Sequence, residues 1–215
     1  MALSSERILA IYEKLHDCFG PQEWWPGETP FEVMVGAVLT QNTNWSNVTR
    51  AIDALKRGNV LSYQAMVSMD RDTLAELIRP AGYYNIKAGR LQNLLFMLRD
   101  RYAGDVDVFL SQSQETMRES LLAVKGIGPE TADSIVLYAA GLPSFVVDTY
   151  THRIFSRHGL VPEETTYDEI QETFTHALPR DAALYNEYHA LIVNLGKEFC
   201  RKTRPRCSEC PLEGC

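Results

Sequence analysis

Val124-Lys125-Gly126-Ile127-Gly128-Pro129-Glu130-Thr131-Ala132-Asp133 is the stretch on which the reading of this chain turns. Two glycines, two residues apart, stand just before Pro129, and proline suits the first turn of a helix because its fixed φ is already helical. Ile135, Val136, Ala139 and Ala140 follow at helical spacing until Gly141 and Pro143 end the pattern. Glycines at such a turn let backbone N–H groups approach a ligand closely, and a helix N-terminus favours an anion. The stretch therefore reads as a phosphate cradle without base-reading groups. The plainer alternative is an ordinary connection between two helices.

Working outward, strand-like alternation is missing and helical spacing recurs. Ser4 or Ser5 can cap a helix with Ile8, Leu9, Ile11, Tyr12 and Leu15 on one face, stopped by Gly20-Pro21. Further helices are predicted from about Phe31 to Leu39, and after Asn44 with Val48, Ile52 and Leu55 inward. Asp70 caps a short one that Pro80-Ala81-Gly82 breaks, and a long one runs from about Asn85 to Tyr102. Another carries Met117, Leu121 and Leu122 into the glycine turn, and three more lie near 149–157, 167–176 and 181–199. The expected class is all-α, with short connections and no repeat.

At 215 residues the chain can bury a core as one domain or two small lobes. Its 45% hydrophobic and 23% charged content are ordinary for a soluble protein. No apolar run approaches the ~20 residues that span a bilayer. The first residues show no basic segment leading into an apolar one, so the expected home is the cytoplasm, on the nucleoid, with no membrane partner. The formal net charge of −7 argues mildly against nucleic acid, but distribution matters more than the sum. Lys197, Arg201, Lys202, Arg204 and Arg206 cluster against the single anion Glu198, forming either a duplex-contacting patch or a solvated basic loop.

Several residue types point to chemistry. Asp148 follows Val146-Val147 just before a helical run, where it can be an N-cap and also a carboxylate that stabilises an oxocarbenium-like sugar while handling water. Cys200, Cys207, Cys210 and Cys215 read C-x6-C-x2-C-x4-C, a spacing for metal ligands that allows zinc or a [4Fe–4S] cluster. Cys18 reads as a core thiol. Trp24-Trp25-Pro26 lies between Gly20-Pro21 and Gly27, so its rings belong to a loop and are either anchors or ligand-stacking surfaces.

Gly126-Ile127-Gly128, the helix after it, and the Val147-Asp148-Thr149 helix entry together resemble the helix-hairpin-helix of the DNA glycosylase superfamily, whose familiar member is endonuclease III. The resemblance extends over nearly the whole chain. It implies a two-lobed helical fold: a six-helix barrel lobe over 21–141 with the hairpin, and a second lobe of 1–20 with 142–215 and a four-cysteine cluster loop. The active site would lie in the cleft between lobes, Asp148 would be catalytic, and the cysteines would hold a [4Fe–4S] cluster, although that family has five residues in the last interval. A monovalent cation at the hairpin is a further cofactor it suggests. Gln41 and Tyr83 fall where the family places residues that fill the gap left by a flipped base. Gly126, Ile127, Gly128, Arg201, Lys202 and Arg204 would touch double-stranded DNA.

One departure bears on mechanism. Where bifunctional members carry a Schiff-base lysine, this chain has Glu130, with Lys125 and Lys87 as spare amines at other positions. Trp24-Trp25-Pro26, Thr40-Gln41-Asn42-Thr43 and Glu130 together resemble the 3-methyladenine DNA glycosylase branch, where Trp24, Trp25, Pro26 and Trp45 would line the base pocket. The expectation is a monomeric, monofunctional DNA glycosylase of base excision repair. It would flip and excise a damaged, alkylated purine and leave an abasic site. Rival readings are an endonuclease III-like glycosylase for oxidised pyrimidines or mismatched bases, and a non-catalytic DNA-binding module.

Overall fold

The computed structural model describes residues 4–24 and 27–214. Trp25, Pro26 and Cys215, three of the residues singled out in the sequence, lie outside the described residues. The described residues are helical throughout, without a strand. In chain order the helices are α1 (Ser5–Phe19), α2 (Pro30–Leu39), α3 (Trp45–Arg57), α4 (Tyr63–Val67), α5 (Arg71–Leu77) and α6 (Tyr84–Tyr102). Then come α7 (Val106–Leu110), α8 (Gln114–Leu122), α9 (Pro129–Ser134), α10 (Thr149–Arg157), α11 (Tyr167–Ala177) and α12 (Ala182–Glu198).

The helices start where the sequence supplies an acceptor for orphan N–H groups. Ser4, Thr29, Asn44, Ser62, Asp70, Asp105, Ser113, Asp148, Thr166 and Asp181 each accept a backbone N–H from the first turn of the helix that follows. Two described helices lack such a side chain: α6, entered through Tyr83, and α9, entered through Gly128. The short helices α4 and α7 were not expected from periodicity. Each buries a single residue, Met66 or Phe109, too little to set up a repeat.

The chain divides into two compact units, one of residues 1–24 with 142–215 and the other of 25–141. In the second, α6 is the central pillar, with α4, α5 and α7 against it, and α2 packs on α3, α6 and α9. Val33, Met34, Val38 and Leu39 of α2 are buried, as are Leu91, Leu94, Leu95 and Leu98 of α6. The two hairpin helices are clamped by charge: Arg118 of α8 donates Nε and Nη2 to the two oxygens of fully buried Asp133 on α9, at 2.9 and 3.2 Å. Such a fork-on-carboxylate pair fixes orientation as well as distance. After Ser134 the helix widens into a π turn over Ile135–Ala139, and the Ala140 N–H reaches the Ile135 carbonyl at 3.2 Å. Ile135, Val136, Leu137 and Tyr138 in this segment are all buried.

The first unit has an aromatic core. Phe145 stacks on Phe174 at 4.2 Å between centroids, and Phe155, Tyr185 and Tyr188 meet these rings edge-on. Tyr188 donates its hydroxyl to the Ile8 carbonyl at 2.9 Å, pinning α12 to α1, and burial pushes that phenol well above its usual value. Residues 21–24 go with this unit, past the Pro21 boundary expected from the sequence. Gln22 accepts from Asn194 at 3.0 Å and its backbone N–H donates to Glu187 at 2.7 Å, while Asn186 donates to the Trp24 carbonyl at 3.3 Å.

Because Phe174 touches three other rings of this core, Phe174→Ala should cost about 3–5 kcal/mol, the range for emptying an aromatic site. Urea unfolding followed by circular dichroism measures it; a loss below about 1 kcal/mol would mean that the cluster collapses around the gap.

Candidate active site

In the first unit, Asp148 is the N-cap of α10, and its two oxygens have separate surroundings. Oδ1 accepts from the Thr151 N–H at 2.8 Å and from the Thr151 hydroxyl at 3.0 Å. The same hydroxyl faces the Asp148 N–H at 3.5 Å, completing a reciprocal capping box. Oδ2 is left to face His189 Nε2, 3.5 Å away. Both side chains are largely buried, at 11% and 8% exposure. Burial pushes the Asp148 carboxyl up, but the approach of His189 and the two Thr151 donors outweigh it and hold the carboxyl below its ordinary value. A carboxylate with one oxygen committed to a cap and the other facing a polar ring is ionised and oriented at neutral pH.

His189 extends the site to a loop far away in the sequence. Its ring stacks on Trp24 at 5.7 Å with 30° between planes, and Lys197 Nζ, further along α12, lies 5.9 Å from the centre of the Trp24 ring. Asp148, His189 and Trp24 thus form one continuous contact path. Asp148 and Trp24, the two ends, stand out in the sequence, but His189 between them does not: it sits in a run of residues on α12 that are nearly all buried, where a histidine carries no local signal.

The second unit holds the hairpin turn and the two candidate wedge turns. Gly126 has φ +97°, and a side chain there would collide with Arg90, whose Cγ lies 2.6 Å from the Cβ position, so glycine is needed on both counts. A Cβ at Gly128 would meet nothing within 4 Å. Ile127 between them is buried. Gln41 does not project freely. Its Nε2 donates to the Gly126 carbonyl at 3.1 Å and to Thr131 Oγ1 at 2.9 Å, and Arg90 donates to its Oε1 in a very short contact. Tyr83, by contrast, is 67% exposed and stands in a left-handed conformation, φ 46°, ψ 31°. Glu130 is exposed in the first turn of α9, and Lys125 is exposed with its carbonyl taken by Asn93 at 2.9 Å. Trp45 opens α3, 36% exposed, with its ring edge against Gly36, where any side chain would come within 3.6 Å.

In the C-terminal loop of the first unit, Cys200 is buried, Cys207 exposed and Cys210 between the two. Among the described residues no three cysteine, histidine or acidic side chains lie close enough together to form a metal site. Three cysteine sulfurs in one loop nonetheless suit a thiolate-bound group, and Arg157 Nη1 donates to the Cys200 sulfur at 3.6 Å. Arg157 also binds the carbonyls of Arg201 and Lys202, at 2.7 and 2.9 Å, and Arg153 binds those of Cys200 and Gly196 at 2.8 and 3.1 Å. Two arginines of α10 thereby hold the loop by its backbone, leaving Arg201, Lys202 and Arg204 exposed. Arg206 is paired with Glu209. Cys18, expected as a core thiol, is exposed on α1.

A profile of the HhH-GPD superfamily of base excision DNA repair proteins matches residues 35–180, which include the hairpin, Asp148 and α10. The chain belongs to this superfamily. A Methanocaldococcus jannaschii protein provisionally named a DNA repair glycosylase is 50% identical over 97% of this chain and 94% of its own length. The Helicobacter pylori 3-methyladenine DNA glycosylase, solved with 1,N6-ethenoadenine, superposes with a TM-score of 0.78 at 31% identity, over 91% of this chain and 98% of that one. Endonuclease III in a non-covalent complex with DNA superposes with a TM-score of 0.81 at 25% identity, over 98% and 94%. Among the described residues, no helix of this HhH-GPD protein is long and apolar enough to cross a membrane.

The Asp148 surroundings have a measurable signature. A carboxylate held below its unfolded value adds stability that is fully present above that value, near pH 4, and is lost as pH falls through the lowered one. Asparagine is a good N-cap, so Asp148→Asn should fold and differ from the native protein chiefly in this charge. Thermal melts from pH 7 downward should show the gap in melting temperature closing below about pH 4. A gap that stays constant would mean that His189 and Thr151 do not hold the charge.

Proposed function

We propose that the protein is a monofunctional DNA N-glycosylase that acts as a monomer on double-stranded DNA, removes an alkylated purine and leaves an abasic site. The observation that carries it is the Asp148–His189–Trp24 path, an ionised carboxylate joined through one imidazole to an indole. Family membership and the similarity to the Helicobacter pylori enzyme support the reading. In this reaction the C1′–N bond breaks with its electron pair leaving on the base. The oxocarbenium-like sugar is stabilised by the Asp148 carboxylate, and water adds to C1′ while giving its proton to Asp148. A purine alkylated at N3 or N7 departs neutral from a cationic nucleotide and needs no general acid. That suits a site in which Glu130 is only an exposed first-turn carboxylate.

Gln41, on giving up its bonds to Gly126, Thr131 and Arg90, would enter the duplex with Tyr83 when the base leaves the stack, and the turn at Gly126–Gly128 would hold a backbone phosphate. Exposed Arg201, Lys202 and Arg204 would add phosphate contacts. Trp24, Trp25, Pro26 and Trp45 would form the walls for the base. Lys197 already lies over the Trp24 ring, so preference for a charged base rests less on a cation–π contact there than on the lability of its glycosidic bond. Cys200, Cys207, Cys210 and Cys215 would hold a [4Fe–4S] cluster, which fixes the basic loop in shape and need not change oxidation state.

A panel of duplexes, each with one modified base, tests the reading with and without alkali. Release of 3-methyladenine or a related alkylpurine is expected to outpace release of thymine glycol or mispaired adenine. Strands should break only after alkali, and borohydride should trap no covalent complex because glutamate cannot form an imine. Asp148→Asn should retain DNA affinity and lose about two orders of magnitude or more in rate. Release of an oxidised pyrimidine alone, or of no base at all, would overturn the assignment.

The cluster has its own check. Protein purified without air should be brown, with a broad thiolate-to-iron band near about 400 nm and about four irons per chain. One zinc per chain in a colourless protein would replace the cluster with a structural zinc site.

A further inference from the structure

Lys87 is one of the two spare amines of this chain, and its surroundings are unusual. It lies in the first turn of α6 with only 1% of its surface exposed. Its Nζ donates to the carbonyl of Leu39 at 2.8 Å and to that of Ala81 at 2.7 Å. Its backbone N–H donates to the Tyr83 carbonyl at 3.0 Å. Burial first, and Arg90 second, bring the amine down to about 8, so at neutral pH the three-donor ammonium predominates. An amine so enclosed is no nucleophile for DNA.

What it touches is informative. Leu39 is the last residue of α2, two before Gln41, and Ala81 ends the 3-10 turn two before Tyr83. Lys87 Nζ therefore grips the backbone two residues upstream of both candidate wedge residues, at Leu39 and at Ala81, while its backbone N–H makes the ordinary first-turn helical bond to the Tyr83 carbonyl. This bears on strain. A non-glycine residue in the left-handed region costs about 1 kcal/mol or more and persists only where its neighbours fix it. Tyr83 has no side-chain cap to help, since α6 begins without one. The ammonium supplies that restraint from inside the unit.

We propose that Lys87 is a positioning residue that sets Gln41 and Tyr83 in register for entry into the duplex. It fixes where both turns leave the helical framework and so determines whether the two side chains can fill the vacated stack together. The inference rests on the reading of Gln41 and Tyr83 given under Proposed function, and on nothing about which base is removed.

A duplex carrying a tetrahydrofuran abasic-site analogue opposite 2-aminopurine tests it, because insertion of protein side chains into the gap changes the fluorescence of 2-aminopurine whatever the substrate base. Lys87→Met keeps the buried stem and removes the donors. It should slow the insertion phase in stopped flow by about tenfold or more, the scale of a misplaced functional group, while affinity for undamaged duplex stays within about twofold. Lys87→Arg, which restores donors to both carbonyls, should recover most of the rate. In a Gln41→Ala/Tyr83→Ala background, Lys87→Met should cost less than about twofold more, since residues acting through one another are not additive. If the two wedge substitutions leave insertion untouched, the reading of Gln41 and Tyr83 fails. If they slow it but Lys87→Met adds its full effect on top, only the positioning role of Lys87 fails. If neither Lys87 variant folds, the lysine is a core-building residue and the proposal is overturned.

Discussion

One bond organises the candidate catalytic residue: the Thr151 amide donating to Asp148 at 2.8 Å. It starts α10, and by occupying one carboxylate oxygen it turns the other towards His189. A side chain that caps a helix is normally explained in full by that duty. Here the cap also joins His189 in keeping a largely buried carboxyl charged, because the amide that satisfies the helix end adds its hydrogen bond to the effect of the imidazole. Further along, α10 carries Arg153 and Arg157, which grip the cysteine loop by its carbonyls. One helix therefore bears the carboxylate at its start and the loop anchors at its end, so the position of each is set by the same rigid rod.

The second unit is built on the opposite economy of caps. Its turns at Tyr83 and Gly128 give the following helices no side-chain acceptor, although helices elsewhere in the same unit have one. Those turns are held from behind. Lys87 binds beneath the first, and Arg90, three residues further along α6, packs under Gly126 and donates to Gln41 at the second. Restraint from the interior leaves the Tyr83 ring exposed. The Arg118–Asp133 clamp performs the same service for the two hairpin helices, as a half-buried pair whose fork geometry fixes their mutual rotation.

Helix starts were the most legible feature of the sequence, because Ser4, Asn44, Asp70 and Asp148 announce themselves as acceptors before an apolar repeat. Gly126 was legible as a turn, and the structure adds the collision with Arg90 that makes glycine necessary. Less could be read wherever the cause is long-range. His189 meets Asp148 from across the aromatic core, and Lys87 meets Leu39 forty-eight residues away, contacts that no local pattern encodes. Gln41 was legible as a turn glutamine but not as one tied by Arg90, Gly126 and Thr131. The π turn at Ile135–Ala139 escaped because one residue too many in a helix looks, in sequence, like an ordinary apolar run. Cys18 is the converse case: a thiol on an amphipathic helix suggests an inward position, yet it lies outward.

The left-handed backbone at Tyr83 has an evolutionary consequence. Asparagine and glycine tolerate that conformation far better than tyrosine, so either substitution would relieve strain and raise the melting point. A population selected only for heat resistance would thus drift away from tyrosine at this position, and would discard the exposed ring without any penalty to the fold. Retaining the ring is a choice that folding alone does not reward. Stability and ring pull in opposite directions at this single residue, which makes it a place where laboratory evolution for robustness and natural selection for use part company.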